Sequence, residues 1–452
     1  MFQYKTLRRT LIASAVLSIM PTLAVASGFA LIEANARGQG NAYAGAAAYT
    51  PDASTIFFNP AGMMDLERDQ LVIASHVIIP KSSFTNDGSI SALGTPLSGD
   101  GDDGGFDAFV PNLYWVTALN ESMKFGLGVN APFGLATKYD DDWAGRYHAV
   151  VSDLKIINFN PSLAYQLNEQ MSIGAGINVM LGDVTLSSAV DFGAICIASF
   201  NAATCSSLGA LPQQSDGYAE LTGDNFNSLS IGFNLGLIYM IADQTRLGVS
   251  YRSEVDMDVE GDADFTVPQS AAFVFENNAF IDTGLSATVS LPASFSVSLA
   301  HTINKFTYLA DVSWTGWSSF QELRIKYDNP AQPDSVTTEE WNDVMRYSLG
   351  VDYQYSDKTI LRAGVALDES PVPNAERRTP RLPGSDRTWL SFGMSYKLDN
   401  DISIDAGYSH LQIDDAPINN EYESGIPTLA ATLNGDYEAS VDIISVQLNW
   451  QF

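Results

Sequence analysis

Six times along this chain, two segments of alternating character meet across two or three residues. Leu113–Leu119 and Met123–Val129 flank Asn120-Glu121, and Ile157–Leu167 and Met171–Leu181 flank Asn168-Glu169-Gln170. Leu229–Ile241 and Thr245–Val255 flank Asp243-Gln244, and Phe295–His301 and Phe306–Trp314 flank Ile303-Asn304. Met345–Tyr355 and Ile360–Leu367 flank Ser356-Asp357-Lys358; Trp389–Leu398 and Ile402–Tyr408 flank Asp399-Asn400-Asp401. Connections this short between alternating segments are hairpin signals. Between the pairs run seven long connections rich in Gly, Asp, Ser and Pro, roughly 85–107, 133–150, 187–226, 258–285, 327–342, 368–387 and 412–437. Six short and seven long connections join fourteen strands, the first at Gln70–Pro80 and the last at the carboxy-terminus. Short turns at one end, long loops at the other and an even strand number are the pattern of an outer-membrane barrel. A soluble β-sandwich would alternate too, but would not place all its short turns on one side.

The strands carry the two faces that a membrane wall needs. In the last one, Ile444, Val446, Leu448, Trp450 and Phe452 share one face, and Ser445, Gln447, Asn449 and Gln451 the other. Nine such residues are about enough to cross a bilayer as a tilted strand. Upstream the apolar set shifts to Tyr437, Ala439, Val441 and Ile443, which predicts either a bulge near Ile443-Ile444 or a strand rising above the membrane. Leu229 to Ile241 and Met345 to Tyr355 alternate in the same way, with Arg346, Ser348, Gly350 and Asp352 on the polar face.

The amino-terminus reads as an export signal over residues 1–26: Lys5, Arg8 and Arg9, an apolar stretch from Leu11 to Val25, and Ala24-Val25-Ala26 before the cut. Later segments lack the long apolar run of a membrane helix, so a crossing must use strands. With 23 basic and 53 acidic residues the chain has a net charge of −30, which argues against nucleic acid as a partner. The acid concentrates in GDGDDGGFD (99–107), YDDDW (139–143) and IDDAPINNEYE (413–423). These read as solvated loops, or as loops meeting the cations that bridge anionic surface lipid; they lack a calcium-loop pattern. Cys196 and Cys205, nine apart, are expected to close a loop disulfide in an oxidising compartment. We assign no cofactor and no metal.

Residues 27–69 do not alternate, and a fourteen-stranded barrel, residues 70–452, encloses more space than wall side chains fill. This segment is therefore expected to form a hatch inside the lumen. Gly38-Gln39-Gly40 opens like a dinucleotide fingerprint, but Tyr43 stands where the third glycine belongs.

GFAL (28–31), RGQGNAYAGAAA (37–48) and STIFFNPAGM (54–63) begin an ordered set of motifs. It continues through LPASFSVSLAH (291–301), DVSWTGWSSFQELRI (311–325), RAGVALDESPVPNAERRTPRLPGSDRTWLSFGMSY (362–396) and the aromatic terminus. In these the chain resembles the FadL/TodX outer-membrane transporters of long-chain fatty acids and other hydrophobic compounds. The resemblance implies an all-β transmembrane fold, a fourteen-stranded antiparallel barrel with an amino-terminal hatch. It implies that ligand binds first in an outer groove and then in an inner pocket, and leaves sideways into the outer membrane at a kinked third strand.

Carried onto this chain, the lateral gate falls on Asn130, Ala131, Pro132, Phe133 and Gly134; an ordinary strand end entering a loop is the alternative. Asn59, Pro60 and Ala61 form the hatch motif, and Phe57, Phe58, Met63 and Met64 are candidates to line an apolar pocket or to pack against the wall. A fatty-acid carboxylate needs a cation once out of water. Arg146, Arg246, Arg252, Arg324, Arg346 and Arg362 are candidates, and Arg324 matches the family's basic residue at the ligand headgroup. The second basic residue is missing from NVMLGDVTL, which keeps neutral hydrocarbons or aromatics open as substrates. Expected partners are a long-chain fatty acid or another hydrophobic small molecule, outer-membrane lipid including lipopolysaccharide, and the barrel-assembly machinery reading the aromatic terminus. An outer-membrane lipid hydrolase is the enzyme alternative; the four histidines sit in no nucleophile motif, and we expect no enzyme.

Overall fold

The computed structural model describes residues 28–423, 426 and 429–452; the expected export signal lies outside them. The first five strands are β1 (Gln70–Asn86), β2 (Ala108–Asn120), β3 (Met123–Lys138), β4 (Val151–Asn168) and β5 (Met171–Asp191). The next five are each in two pieces: β6 (Asp216–Asp224, Ser230–Ala242), β7 (Thr245–Arg252, Val255–Thr266), β8 (Thr283–Leu291, Ser294–Ile303), β9 (Phe306–Thr315, Glu322–Tyr327) and β10 (Ser335–Thr338, Val344–Gln354). The last are β11 (Thr359–Asp368), β12 (Arg387–Lys397), β13 (Ile402–Ile413, Ala416–Glu421) and β14 (Thr432–Gln451). Each pairs antiparallel with its neighbours, and β14 closes on β1 from Gln70↔Gln451 to Asn86↔Gly435. The result is a closed fourteen-stranded barrel, and the six tight turns fall at one end. Among the described residues no helix is long and apolar enough to cross a membrane.

Lipid is the solvent of the outer face. Leu229, Ile231 and Leu349 are 60–62% exposed, and dozens of large apolar side chains join them. A patch of that extent exceeds what a water-soluble surface carries.

The shift in the last strand has a plain cause. Its pairing with β1 has no bulge, and odd-numbered residues from Leu433 to Asn449 point inward throughout. What inverts is the chemistry. Below Ile443 the inward residues are Ser445, Gln447 and Asn449 and the outward ones face lipid. Above it the inward residues are Tyr437, Ala439 and Val441, while Asp436 and Glu438 face water. The strand therefore rises above the membrane, as its 20 residues require.

The same inversion corrects several expected boundaries. In β7, Val255, Met257 and Val259 are buried while Asp256, Asp258 and Glu260 are exposed. The sequence ends that strand at Val255 and opens a long connection near 258, yet the ladder to β8 runs on to Ala263 and β6 joins it from Glu260. The third strand likewise does not end at Val129, because β4 pairs with it as far as Lys138.

From Phe29 to Met63 the chain is mostly buried within the barrel and bonds strands on every side. Ala36 donates its amide to Gln447 on β14, Asn41 donates to Asp352 on β10, and Ala47 donates to Ser298 on β8. Half-buried Arg37 sits 3.5 Å from buried Asp52 and 3.3 Å from buried Asp405 of β13. Close approach depends on wall glycines: a Cβ on Gly364 would lie 2.2 Å from the Asn41 carbonyl, and one on Gly393 2.6 Å from Gly40. Above the membrane the long loops fold into a cap, with Tyr139 stacked on Trp143 at 4.0 Å.

Candidate functional site

Between hatch and cap the barrel holds a cavity of about 270 Å³. The hatch supplies Phe57 and Phe58 from its short helix Thr55–Phe58, and its first segment supplies Ala30 to Glu33. The wall supplies Pro132 and Phe133 of β3 and three arginines, Arg252, Arg346 and Arg387. Period-two alternation places them. Tyr347 and Leu349 face lipid, so Arg346 faces in; Arg387 and Trp389, two apart on β12, share the inward face.

Arg346 is 7% exposed and lies 5.0 Å above the Trp389 ring. Its Nη2 donates to the Ala42 carbonyl at 3.0 Å. Its Nε and Nη1 have no hydrogen-bond partner among the described residues, and neither has Nε of Arg387. Arg252 is satisfied instead, by Asn178 at 2.5 Å and the Phe57 carbonyl at 3.0 Å. Glu33 and Asp368 are the cavity's carboxylates, so three arginines leave it one positive charge in excess. An apolar chamber with unpaired guanidinium donors suits an amphiphile with a carboxylate head.

Beside the cavity the wall is broken. The β2–β3 ladder stops at Leu113↔Val129, and the β3–β4 register shifts between Asn130 and Phe133. Pro132 has no amide to donate. The hatch fills the missing place: Ala30 bridges Phe133, Leu31 donates to the Pro132 carbonyl at 2.8 Å, and Gly134 donates to the Phe29 carbonyl at 3.0 Å.

A smaller groove of about 90 Å³ opens in the cap, with Leu186, Phe265, Phe280 and Ile325 among its apolar residues. Arg381 crosses it, donating to the Val151 carbonyl and Ser152 Oγ, and burial lowers its pKa. Nearby, burial pushes the Glu339 carboxyl up to about 8, against the pull of a hydrogen bond from Trp341.

The structure brings only some of the expected residues together. Arg252 and Arg346 reach the cavity. Arg324 does not: it stands on the outer surface of β9, paired with Glu322 at 2.7 Å and Asp334 at 3.4 Å. Its neighbours Leu323 and Ile325 turn into the groove instead. Arg146, Arg246 and Arg362 are engaged with Asp216, Asp65 and Asp352. Phe57 and Phe58 line the cavity, whereas Met63 and Met64 pack with Ile56 and Tyr114 against the wall. Asn59 staples hatch to wall, donating to the carbonyls of Ala47, Leu237 and Val249, and it caps Ala61; Pro60 opens the turn that follows. Cys196 and Cys205 are disulfide-bonded in the cap. Sequence reasoning missed Arg387, Trp389 and Glu33; the Arg-x-Trp spacing at a strand start was the available signal.

A closed barrel facing lipid, with a plugged lumen and an apolar inner cavity, is built as an outer-membrane transport protein. The family described as outer membrane protein transport protein (OMPP1/FadL/TodX) matches residues 17–452, and the chain belongs to it. It is 32% identical over 451 residues to a 47 kDa outer membrane protein of Pasteurella multocida, covering 98% of both chains. It is 30% identical over 422 residues to a long-chain fatty acid transport protein of Escherichia coli O6:H1, covering 90% of this chain and 92% of that one. A Pseudomonas aeruginosa FadL homologue of known crystal structure has the same fold, with a TM-score of 0.85 at 24% identity over 94% of this chain and 100% of that one.

Proposed function

We propose that this protein carries long-chain fatty acids, or amphiphiles like them, across the outer membrane by passive, ligand-gated diffusion. Ligand enters the cap groove, moves to the arginine cavity and leaves through the β3 break into the bilayer as the Phe29–Leu31 segment withdraws. One observation carries this reading: Arg346, buried with two unpaired donors, lies in a cavity whose wall includes Pro132 and Phe133 at the break. The name of the E. coli relative supports the substrate class.

In this scheme residues 1–26 direct export, 27–69 form the hatch and 70–452 the barrel, and Phe452 is read during assembly. Asn130 to Gly134 form the gate and Asn59-Pro60-Ala61 anchors the hatch. Catalysis has weaker support. Ser445 and His76 do touch, at 2.5 Å, but Gln39 also bonds Ser445, both are buried, and neither lines the cavity or the groove.

The test is uptake of labelled oleate by cells lacking their own transporter and supplied with this one. The reading expects saturable uptake together with liposomes that stay closed to small sugars. Uptake no better than in empty cells, or free sugar permeation, would overturn it.

A further inference from the structure

Close to the cavity, β3 to β6 turn five asparagines inward: Asn130, Asn158, Asn160, Asn178 and Asn234. None is more than 3% exposed. They form a connected chain. Asn178 Oδ1 accepts from Arg252 at 2.5 Å and from Asn158 Nδ2 at 3.0 Å. Asn158 Nδ2 also reaches Asn130 Oδ1 at 3.3 Å. A branch runs from Asn178 Nδ2 to Asn234 Oδ1 at 3.4 Å, and Asn160 donates to the same oxygen at 2.9 Å. One end therefore lies at Arg252 in the cavity. The other lies at Asn130, where the β3–β4 register shifts.

The chain is left half-paired. Asn130 Nδ2, Asn158 Oδ1, Asn160 Oδ1 and Asn234 Nδ2 are buried with no partner among the described residues. A buried amide left unpaired is costly, and a wall needing only rigidity would be better served by apolar side chains. The hatch helix Thr55–Phe58 covers this stretch. The Phe57 carbonyl accepts from Arg252, whose guanidinium lies 5.0 Å from the Phe57 ring. Ile56 and Asn130 Nδ2 crowd the same point, each 3.3 Å from where a Cβ on Gly128 would sit.

We propose that these amides are a second ligand subsite, a polar rail that takes the headgroup of an amphiphile from Arg252 to the β3 break. The rail opens when the Thr55–Phe58 helix lifts. The free Nδ2 groups of Asn234 and Asn130 donate to carboxylate oxygens, and the free oxygens of Asn158 and Asn160 accept from a hydroxyl or a protonated acid. The hydrocarbon tail follows along the apolar hatch. Headgroup selection then occurs at the exit step as well as in the cavity. This inference rests on the transport reading.

The experiment compares uptake of dodecanoate and dodecane, equal chains with and without a headgroup, by cells expressing the full-length protein. Asn158→Leu should slow dodecanoate about tenfold, the factor of about 1.4 kcal/mol, and leave dodecane within about twofold. Asn158→Gln, which keeps the amide, should retain most of the dodecanoate rate. If Asn158→Leu fails to assemble, Asn160→Ser removes a neighbouring amide of the same chain, outside the gate, and should give the same split. Equal losses for both substrates, or no loss for either, would overturn the rail and leave the transport reading standing. A native protein that moves neither substrate would overturn that reading, and the rail with it.

Discussion

Ala30 of the hatch sits opposite Phe133 of β3 as an antiparallel pair, in a place that β2 leaves vacant. The amino-terminal segment thus fills a gap in the barrel wall, and in the proposed scheme it is the part that withdraws. It is held by two backbone hydrogen bonds flanking that pair. Phe29, packed on Phe133, Trp317, Phe320 and Trp341, and a hydrogen bond from Arg387 to the Gly28 carbonyl add to that hold. Pro132 offers a carbonyl but no amide, so a full ladder cannot form there.

Arg346 is expected to bind the headgroup. Replacing it with alanine removes two unpaired donors from a buried site, where hydrogen bonds to a charged group are worth about 1.5–3 kcal/mol. Arg346→Ala should weaken fatty-acid binding by the purified protein about tenfold or more. Arg324→Ala should leave it within about twofold, because Arg324 is engaged on the outer surface. Equilibrium binding of a labelled fatty acid checks both, and the reverse ranking would contradict the assignment.

Gly364 should be indispensable to the plug. Any side chain there meets the Asn41 backbone, which cannot yield as a flexible side chain would. Gly364→Val should lift the hatch from β11 and open the lumen. Liposomes carrying the variant are expected to swell in small sugars that the native protein excludes.

The cap should respond to alkali through Glu339. Its pKa is raised from 4.5 to about 8 by burial, so the folded cap holds this carboxyl neutral below about pH 8. A raised carboxyl contributes its stability fully below 4.5 and loses it as pH rises through about 8. Hydrogen exchange over residues 335–344 should therefore show local protection falling from pH 6 to pH 9. Glu339→Gln keeps an acceptor for Trp341 but cannot ionise, and should flatten that fall. Superimposable profiles would contradict the role given to burial.

The sequence carried the barrel because lipid forces alternation, and the turn chemistry counted its strands. Above the membrane the solvents exchange places, and the strand that continues past Val255 reads from about 258 as part of a long connection. Which arginine faces the cavity was half legible. Arg346 lay on the polar face of an alternating strand, but the lumen holds several such residues. Only the fold shows that Arg362 lies outside the cavity with Asp352 and Asp405 beside it, while Arg346 lines the cavity. The hatch's grip on the wall was not legible either, because Asn41 and Gly364 are brought together by barrel closure alone.

The removable wall is best tested by fastening it. Ala30→Cys with Phe133→Cys places two thiols on a directly opposed antiparallel pair, a spacing of about 4.5–5.5 Å that a disulfide can span. Fatty-acid uptake is measured in cells expressing the double variant, oxidised and then reduced, beside native protein treated identically to account for Cys196–Cys205. The account predicts that oxidation abolishes uptake, that reduction restores it, and that ligand binding to the purified oxidised protein persists. Undiminished uptake through the fastened barrel would show that ligand leaves by another route.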